Sequence, residues 1–170
     1  MAELSAHPHV VTVFGSGLTD YGRPYLAMEH CPRSSLNSGS RTIRRSVSEV
    51  LQIGVEIAGA AETAHRAGVL HRDIKPANIL VTQYGNTALA DFGIDAPVQQ
   101  AADGVEGVSV PWSAPEAFAA PPWAGPQSDV WGLAATIYSL LTGRAPLEVP
   151  GGDNTPTAQM DGSNRTSCLQ

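Results

Sequence analysis

Residues 71–80, HRDIKPANIL, place His71, Arg72, Asp73, Lys75 and Asn78 within one short polar stretch flanked by apolar residues. A carboxylate can accept a proton, an ammonium can neutralise an anion, and an amide oxygen can face a hard cation. These residue types side by side make the stretch a candidate catalytic centre. Lys75 carries extra weight, because the ten basic residues comprise nine arginines and this single lysine. Chemistry that needs a second ammonium has no candidate in the sequence.

The flanking elements must hold such a stretch in place. Ser46 and Glu49 have the spacing of a capping box, and Val50, Leu51, Gly54, Ile57, Ala58, Ala61 and His65 then recur at helical spacing until Gly68 offers a stop. Small residues at 54 and 58–61 let that helix approach a neighbour closely. NILVT (78–82) and TALAD (87–91), joined by QYGN, read as an antiparallel pair directly after the polar stretch. VVTVF (10–14) and PYLAM (24–28) read as a second hairpin. Residues 31–46 read as a polar linker with one helical turn, and residues 95–110 as a mobile loop. SDVWGLAATIYSLLTG (128–143) predicts a largely buried helix, begun by Ser128 and Asp129 and stopped by Gly143.

Length and composition suit one globular domain: 170 residues, 42% apolar, with a formal net charge of -6. An acidic chain is poorly suited to neutralising a phosphate backbone, so no nucleic-acid partner is expected. No stretch approaches the roughly 20 apolar residues of a membrane span, and the N-terminus lacks a signal pattern. The expectation is a cytoplasmic protein without a membrane segment. Cys31 and Cys168 read as free thiols, and His7, His9, His30 and His65 as surface or satisfied core histidines.

HRDIKPANIL, then DFG at 91–93, APE at 114–116 and SDVWGL at 128–133 follow one another as the signature strings of protein kinases do. HPHVVTVF (7–14) and GRPYLAMEH (22–30) resemble the segments that precede the kinase catalytic loop. The chain resembles eukaryotic-like Ser/Thr protein kinases of bacteria, in particular actinobacteria, over roughly residues 7–150. That resemblance implies an α+β fold, mostly the helical C-lobe with a remnant of the N-lobe sheet and the hinge. The implied division is residues 1–150 as a partial kinase domain, with 1–29 an N-lobe remnant, 30–46 hinge and linker, 47–150 C-lobe, and 151–170 a disordered tail.

The resemblance also implies roles. Phosphoryl transfer asks the protein chiefly for positioning and charge neutralisation. Asp73 would orient and deprotonate the substrate hydroxyl, and Lys75 would meet the transferring phosphate. Asn78 and Asp91 would hold Mg²⁺ through oxygen. Met28, Glu29, Cys31 and Leu80 would surround the adenine of ATP. His71 and Phe92 would stack behind the site, Arg72 would read a phosphorylated loop residue, and Ser109 would belong to the substrate-binding loop. Asp129 would brace the catalytic-loop backbone, a plain helix-capping role being the alternative. Glu116 would pair with an arginine of a later helix.

The implied activity is transfer of the ATP γ-phosphate to Ser or Thr hydroxyls of protein substrates. Kinases of this kind also use a glycine-rich loop, a strand lysine and a helix glutamate ahead of the hinge. None precedes residue 7, and GSGLTDYG (15–22) stands where a turn belongs. The sequence thus reads as a kinase domain truncated at both ends. The alternative function is an inactive or pseudokinase-like binding module.

Overall fold

A computed structural model describes residues 4–32, 35–39, 45–92 and 110–155. The regular elements are β1 (Val13–Leu18), β2 (Pro24–Met28), α1 (Val47–Arg66), β3 (Ile79–Val81), β4 (Thr87–Leu89) and α2 (Pro126–Thr142). They form two separate two-stranded antiparallel sheets and two main helices, an α+β arrangement dominated by its helical part. Gly93, Ser109, Cys168, the body of the 95–110 loop and the tail from 156 on lie outside the described residues.

Helix α1 starts where its sequence says it should. The Ser46 side chain accepts the Glu49 amide at 3.3 Å and the Glu49 carboxylate accepts the Ser46 amide at 2.7 Å, which satisfies two of the free donors at a helix start. Those bonds also hold the Glu49 carboxyl below its ordinary pKa, the backbone bond at Ser46 contributing most. Gly68 closes the helix with φ +75°, a conformation that costs glycine little.

The buried face of α1 is Val50, Ile53, Gly54, Ile57, Ala60, Ala61 and Ala64. Leu51, expected inside, is 55% exposed, and Ala58 is exposed as well. The rows 50/57/64 and 51/58 are both apolar and lie about 100° apart around the helix, so periodicity alone leaves the choice between them open. Contact decides it. Val50, Ile53 and Ile57 join Ile74, Ile79, Leu89 and Leu140 in one core, and full burial of each such side chain contributes roughly 1.5–3 kcal/mol. Leu36, within the stretch read as a polar linker, is also part of this core and sits in a single 3-10 turn at Leu36–Gly39.

Helix α2 packs against α1, and a Cβ at Gly54 would lie 3.0 Å from the Ile137 side chain. The absence of that Cβ allows the close approach. α2 begins at Pro126 rather than Ser128, with Gly125 preceding it and Gly143 closing it at φ +72°. The helix is not largely buried as its apolar content predicts: Val130, Trp131, Tyr138 and Leu141 are exposed. Its buried side is instead rich in small and polar groups, Asp129, Gly132, Ala135, Thr136 and Ser139, which face the 71–78 loop and the turn at Val110–Trp112.

Strands β3 and β4 pair with Ile79 opposite Leu89, Leu80 opposite Ala88 and Val81 opposite Thr87. The first hairpin begins later than its valines suggest. Val10 and Val11 do not enter β1; Val10 bridges Leu89 in parallel, and the Val11 amide donates to the Leu89 carbonyl at 3.0 Å. That arm is tied down further where His9 Nδ1 bonds the Thr87 carbonyl at 2.7 Å and Glu56 on α1 accepts from Thr87 and Gln52. Burial raises the Glu56 pKa, but the bonds from Thr87 and Gln52, with His9 nearby, outweigh it and leave the carboxyl below its ordinary value. Beyond the arm, Phe14, Leu18, Tyr25 and Met28 of the hairpin are all exposed.

Candidate active site

Residues 71–78 cross the gap between α1 and β3 with little regular structure beyond a turn at Pro76–Asn78. Arg72 has φ +68° and Asp91 φ +57°, the left-handed region that a residue with a Cβ enters at a cost of order 1–3 kcal/mol. Such strain persists only where neighbours over-determine it. At Arg72 the neighbour is Asp129, 2% exposed, whose Oδ1 accepts the Arg72 amide at 2.7 Å. Its Oδ2 accepts the His71 amide at 2.9 Å and His65 Nε2 at 2.7 Å. One carboxylate on α2 therefore ties α1 to two consecutive amides of the loop, and bonds to an ionised acceptor are about twice as strong as neutral ones.

The geometry brings Asp73, Lys75 and Asn78 together. Asp73 Oδ2 lies 2.7 Å from Lys75 Nζ and accepts Asn78 Nδ2 at 3.0 Å, while the same Nδ2 reaches the Asp73 carbonyl at 2.8 Å. The Asn78 nitrogen is thus committed to Asp73, and its amide oxygen is the atom it can offer elsewhere. Asp73 Oδ1 takes neither of these contacts.

Asp91 joins the loop through the residue before it. The Ala90 amide donates to the Asn78 carbonyl at 2.8 Å, and the Ala90 carbonyl bonds His71 Nε2 at 2.8 Å. Since a carbonyl only accepts, Nε2 carries the proton, and Nδ1 is left to accept the Asp73 amide at 3.2 Å. His71 thereby fixes the backbone on both sides of the site as a neutral imidazole. Its ring meets Phe92 with centroids 4.7 Å apart and planes tilted by 52°.

Burial pushes His71 below its ordinary pKa of 6.5, against a weaker upward pull from the Ala90 bond and from Asp129, Asp73 and Asp91. A histidine with a lowered pKa in the folded state binds its proton more readily when unfolded. Its contribution to stability is fully present above pH 6.5 and is lost as pH falls through the folded pKa below it. Urea midpoints measured from pH 7.5 downward should therefore decline through this window, and His71→Phe, which cannot titrate, should flatten that part of the profile. An identical slope in both proteins would remove His71 as its source.

The residues matched to adenine lie along the end of β2 and on β3. Met28 pairs with Val13 in the hairpin, and the Glu29 amide donates to the Thr12 carbonyl at 2.8 Å. Cys31 and Leu80 pack on one small cluster with Val11, Ala88 and Ala90. Burial, with Glu29 nearby, raises the Cys31 thiol pKa, which favours the unreactive thiol form. Glu116 accepts the Ser128 hydroxyl at 2.7 Å, so an arginine is not its only available partner. Among the described residues, no group of three or more His, Cys, Asp and Glu side chains is arranged to hold a metal ion.

Three contributors carry no role in the reading of signature strings, although Gly132 lies within SDVWGL. His65 reaches Asp129, and Gly132 and Thr136 approach the Ile74 carbonyl. The signal for the last two was the helical spacing of 129, 132 and 136, one face of small and polar residues on an otherwise apolar helix.

The sequence matches the family model of the protein kinase domain over residues 1–168. This chain belongs to the protein kinase family. It is 45% identical over 161 residues to the serine/threonine-protein kinase PknK of Mycobacterium tuberculosis, an alignment covering 90% of this chain and 14% of that kinase. PknK of Mycobacterium bovis matches to the same extent. The serine/threonine-protein kinase KIC1 of Saccharomyces cerevisiae is 34% identical over 149 residues, covering 86% of this chain and 14% of its own length. The likeness to actinobacterial kinases implied by the signature strings therefore extends across most of the sequence, although the chain spans only about 14% of the length of the mycobacterial relatives. No helix among the described residues is long and apolar enough to cross a membrane.

Proposed function

We propose that this chain is the catalytic-loop portion of a Ser/Thr protein kinase and that the 170-residue polypeptide by itself is an inactive kinase-like module. The observation that carries the second half is the pairing of Lys75 Nζ with Asp73 at 2.7 Å, Lys75 being the only lysine. A kinase needs one ammonium at the transferring phosphate and another on the α and β phosphates. Here the single ammonium sits beside Asp73, which suits the first task, and the sequence holds no lysine for the second.

Given a nucleotide held by other groups, Asp73 Oδ1 is the atom that would accept the proton of a substrate hydroxyl as its oxygen attacks phosphorus. Lys75 would balance charge on the transferring phosphate from beside it. The Asn78 amide oxygen and the Asp91 carboxylate are the hard oxygen donors that Mg²⁺ prefers, and bound Mg²⁺ would neutralise charge on the phosphate oxygens. Met28, Glu29, Cys31 and Leu80 would border the adenine. Arg72 would read a phosphate from the segment containing Ser109. The similarity to kinases whose names specify serine/threonine supports protein hydroxyls as acceptors.

The test compares two polypeptides for transfer of labelled γ-phosphate from Mg·ATP to a generic Ser/Thr substrate. One is this chain, and the other is this chain preceded by a segment bearing a glycine-rich loop, a strand lysine and a helix glutamate. The extended protein should transfer at least about a hundredfold faster, as expected when a positioning element is restored. Equal rates would refute the inactive-module reading, and no transfer by either would refute the kinase reading.

A further inference from the structure

We propose that Thr136 is a positioning residue for the Asp73–Lys75 pair, acting through the carbonyl of Ile74; this rests on the kinase reading of the site. Thr136 is fully buried in α2, and its hydroxyl donates to the Ile74 carbonyl oxygen at 3.3 Å. Of the other serine and threonine hydroxyls of α2, Ser128 in the first turn donates to Glu116, and the two that follow Thr136 stay within the helix. Ser139 bonds the carbonyl of Ala135 at 2.9 Å and Thr142 that of Tyr138 at 2.8 Å, the back-bonding within a helix that short hydroxyl side chains commonly adopt. Thr136 reaches off its helix to the loop instead.

The same carbonyl is held from a second side. A Cβ at Gly132 would lie 3.0 Å from the Ile74 oxygen and 3.3 Å from the Ile74 Cβ, so the bare backbone of α2 makes room for this carbonyl one turn before Thr136. The Ile74 oxygen belongs to the peptide unit that joins Ile74 to Lys75. That unit is planar, so its oxygen and its N–H turn together. Holding the oxygen against α2 restrains ψ at Ile74 and φ at Lys75, which is -152°, and from this extended residue the ammonium returns to Asp73 Oδ2. Asp129 grips the loop at His71 and Arg72, ahead of Asp73, and Thr136 grips it after Asp73. The proton-accepting carboxylate is thus held from both sides by one helix face.

Two pairs of substitutions isolate the hydroxyl. Thr136→Val keeps the volume and removes the hydroxyl, whereas Thr136→Ser keeps the hydroxyl and Thr136→Ala lacks it at nearly the same small size. In the upstream-extended protein, Val should lower kcat about tenfold relative to Thr, and Ala should lower it about tenfold relative to Ser, with KM for ATP changing less than about twofold. In the 170-residue chain itself, the ¹³C carbonyl resonance of Ile74 should move with loss of the hydroxyl in both pairs, which tests the bond even if the extended protein transfers nothing. Circular dichroism identifies any variant that does not fold; should Val fail to fold, the Ala and Ser pair carries the comparison. Equal kcat within both pairs, a change confined to KM, or an unmoved Ile74 resonance would overturn the assignment. Loss in Ser equal to that in Ala would reduce Thr136 to packing.

Discussion

Asp73→Asn in the upstream-extended protein is expected to lower kcat by about 10²–10⁴, the range that a positioned proton acceptor contributes. The substitution keeps the shape of the side chain and removes its ability to take a proton. Lys75 and Asn78 both contact Asp73 Oδ2, so the carboxylate is oriented from one side and presents Oδ1 to the other. An asparagine that kept its oxygen at the Oδ2 position could still accept from Asn78 and lie near Lys75, and the loop should hold its course. The unfolding free energy of the variant, from urea titration, should accordingly stay within about 0.5 kcal/mol of the parent, as for substitutions that leave packing intact. KM for ATP should change little, because Asp73 is assigned to the hydroxyl and not to the nucleotide. A kcat within tenfold of the parent would remove Asp73 as the proton acceptor. A large loss of stability would instead mean that its charge is needed to hold Lys75.

The order of HRDIKPANIL, DFG, APE and SDVWGL made the family legible, because each string supplies residue types that few other chemistries require together. Capping chemistry made the start of α1 legible, since Ser46 and Glu49 satisfy backbone donors that any helix must satisfy. The α1 face was less readable. Two adjacent apolar rows compete there, and only contact with Ile74, Ile79, Leu89 and Leu140 shows which one is inside. The valines at 10 and 11 have the composition of a strand, but the bridge to Leu89 draws them away from β1, a non-local contact that no local pattern carries. Helix α2 departs from its pattern for a related reason. Apolar content does not measure burial there, because the side that packs on the loop must be small and polar to meet a backbone, and Trp131 and Tyr138 are left outward. At the site, the residue types could be read in advance, but the way they are held could not. The neutral tautomer of His71, the two bonds that fix Ala90 and the left-handed Arg72 are consequences of tertiary contact.

Asp129→Ala is expected to destabilise the chain by about 3–5 kcal/mol, the cost of removing one partner from a buried charged network. Three donors converge on this carboxylate: the amides of His71 and Arg72 and the His65 ring. Without it, the His71 amide is buried with no acceptor, and the Arg72 backbone keeps its strained φ of +68° with nothing to offset it. Ordinary domains have only about 5–15 kcal/mol in total, so the variant should show a clearly lower urea midpoint and a larger unfolded fraction at 37 °C. The loss should also be local in origin. Hydrogen exchange at His71, Arg72 and Asp73 should rise more than at the core of α1, since the loop loses its anchor while Val50, Ile53 and Ile57 keep theirs. Glu62→Ala gives the comparison: its pair with Arg66, at 2.8 Å, is solvent-exposed, and its removal should shift stability by less than about 0.5 kcal/mol. If Asp129→Ala behaved like Glu62→Ala, Asp129 would be a helix-start residue and the Arg72 strain would be held by something else. If exchange rose equally throughout α1 and the loop, the carboxylate would support the whole fold and not the loop in particular.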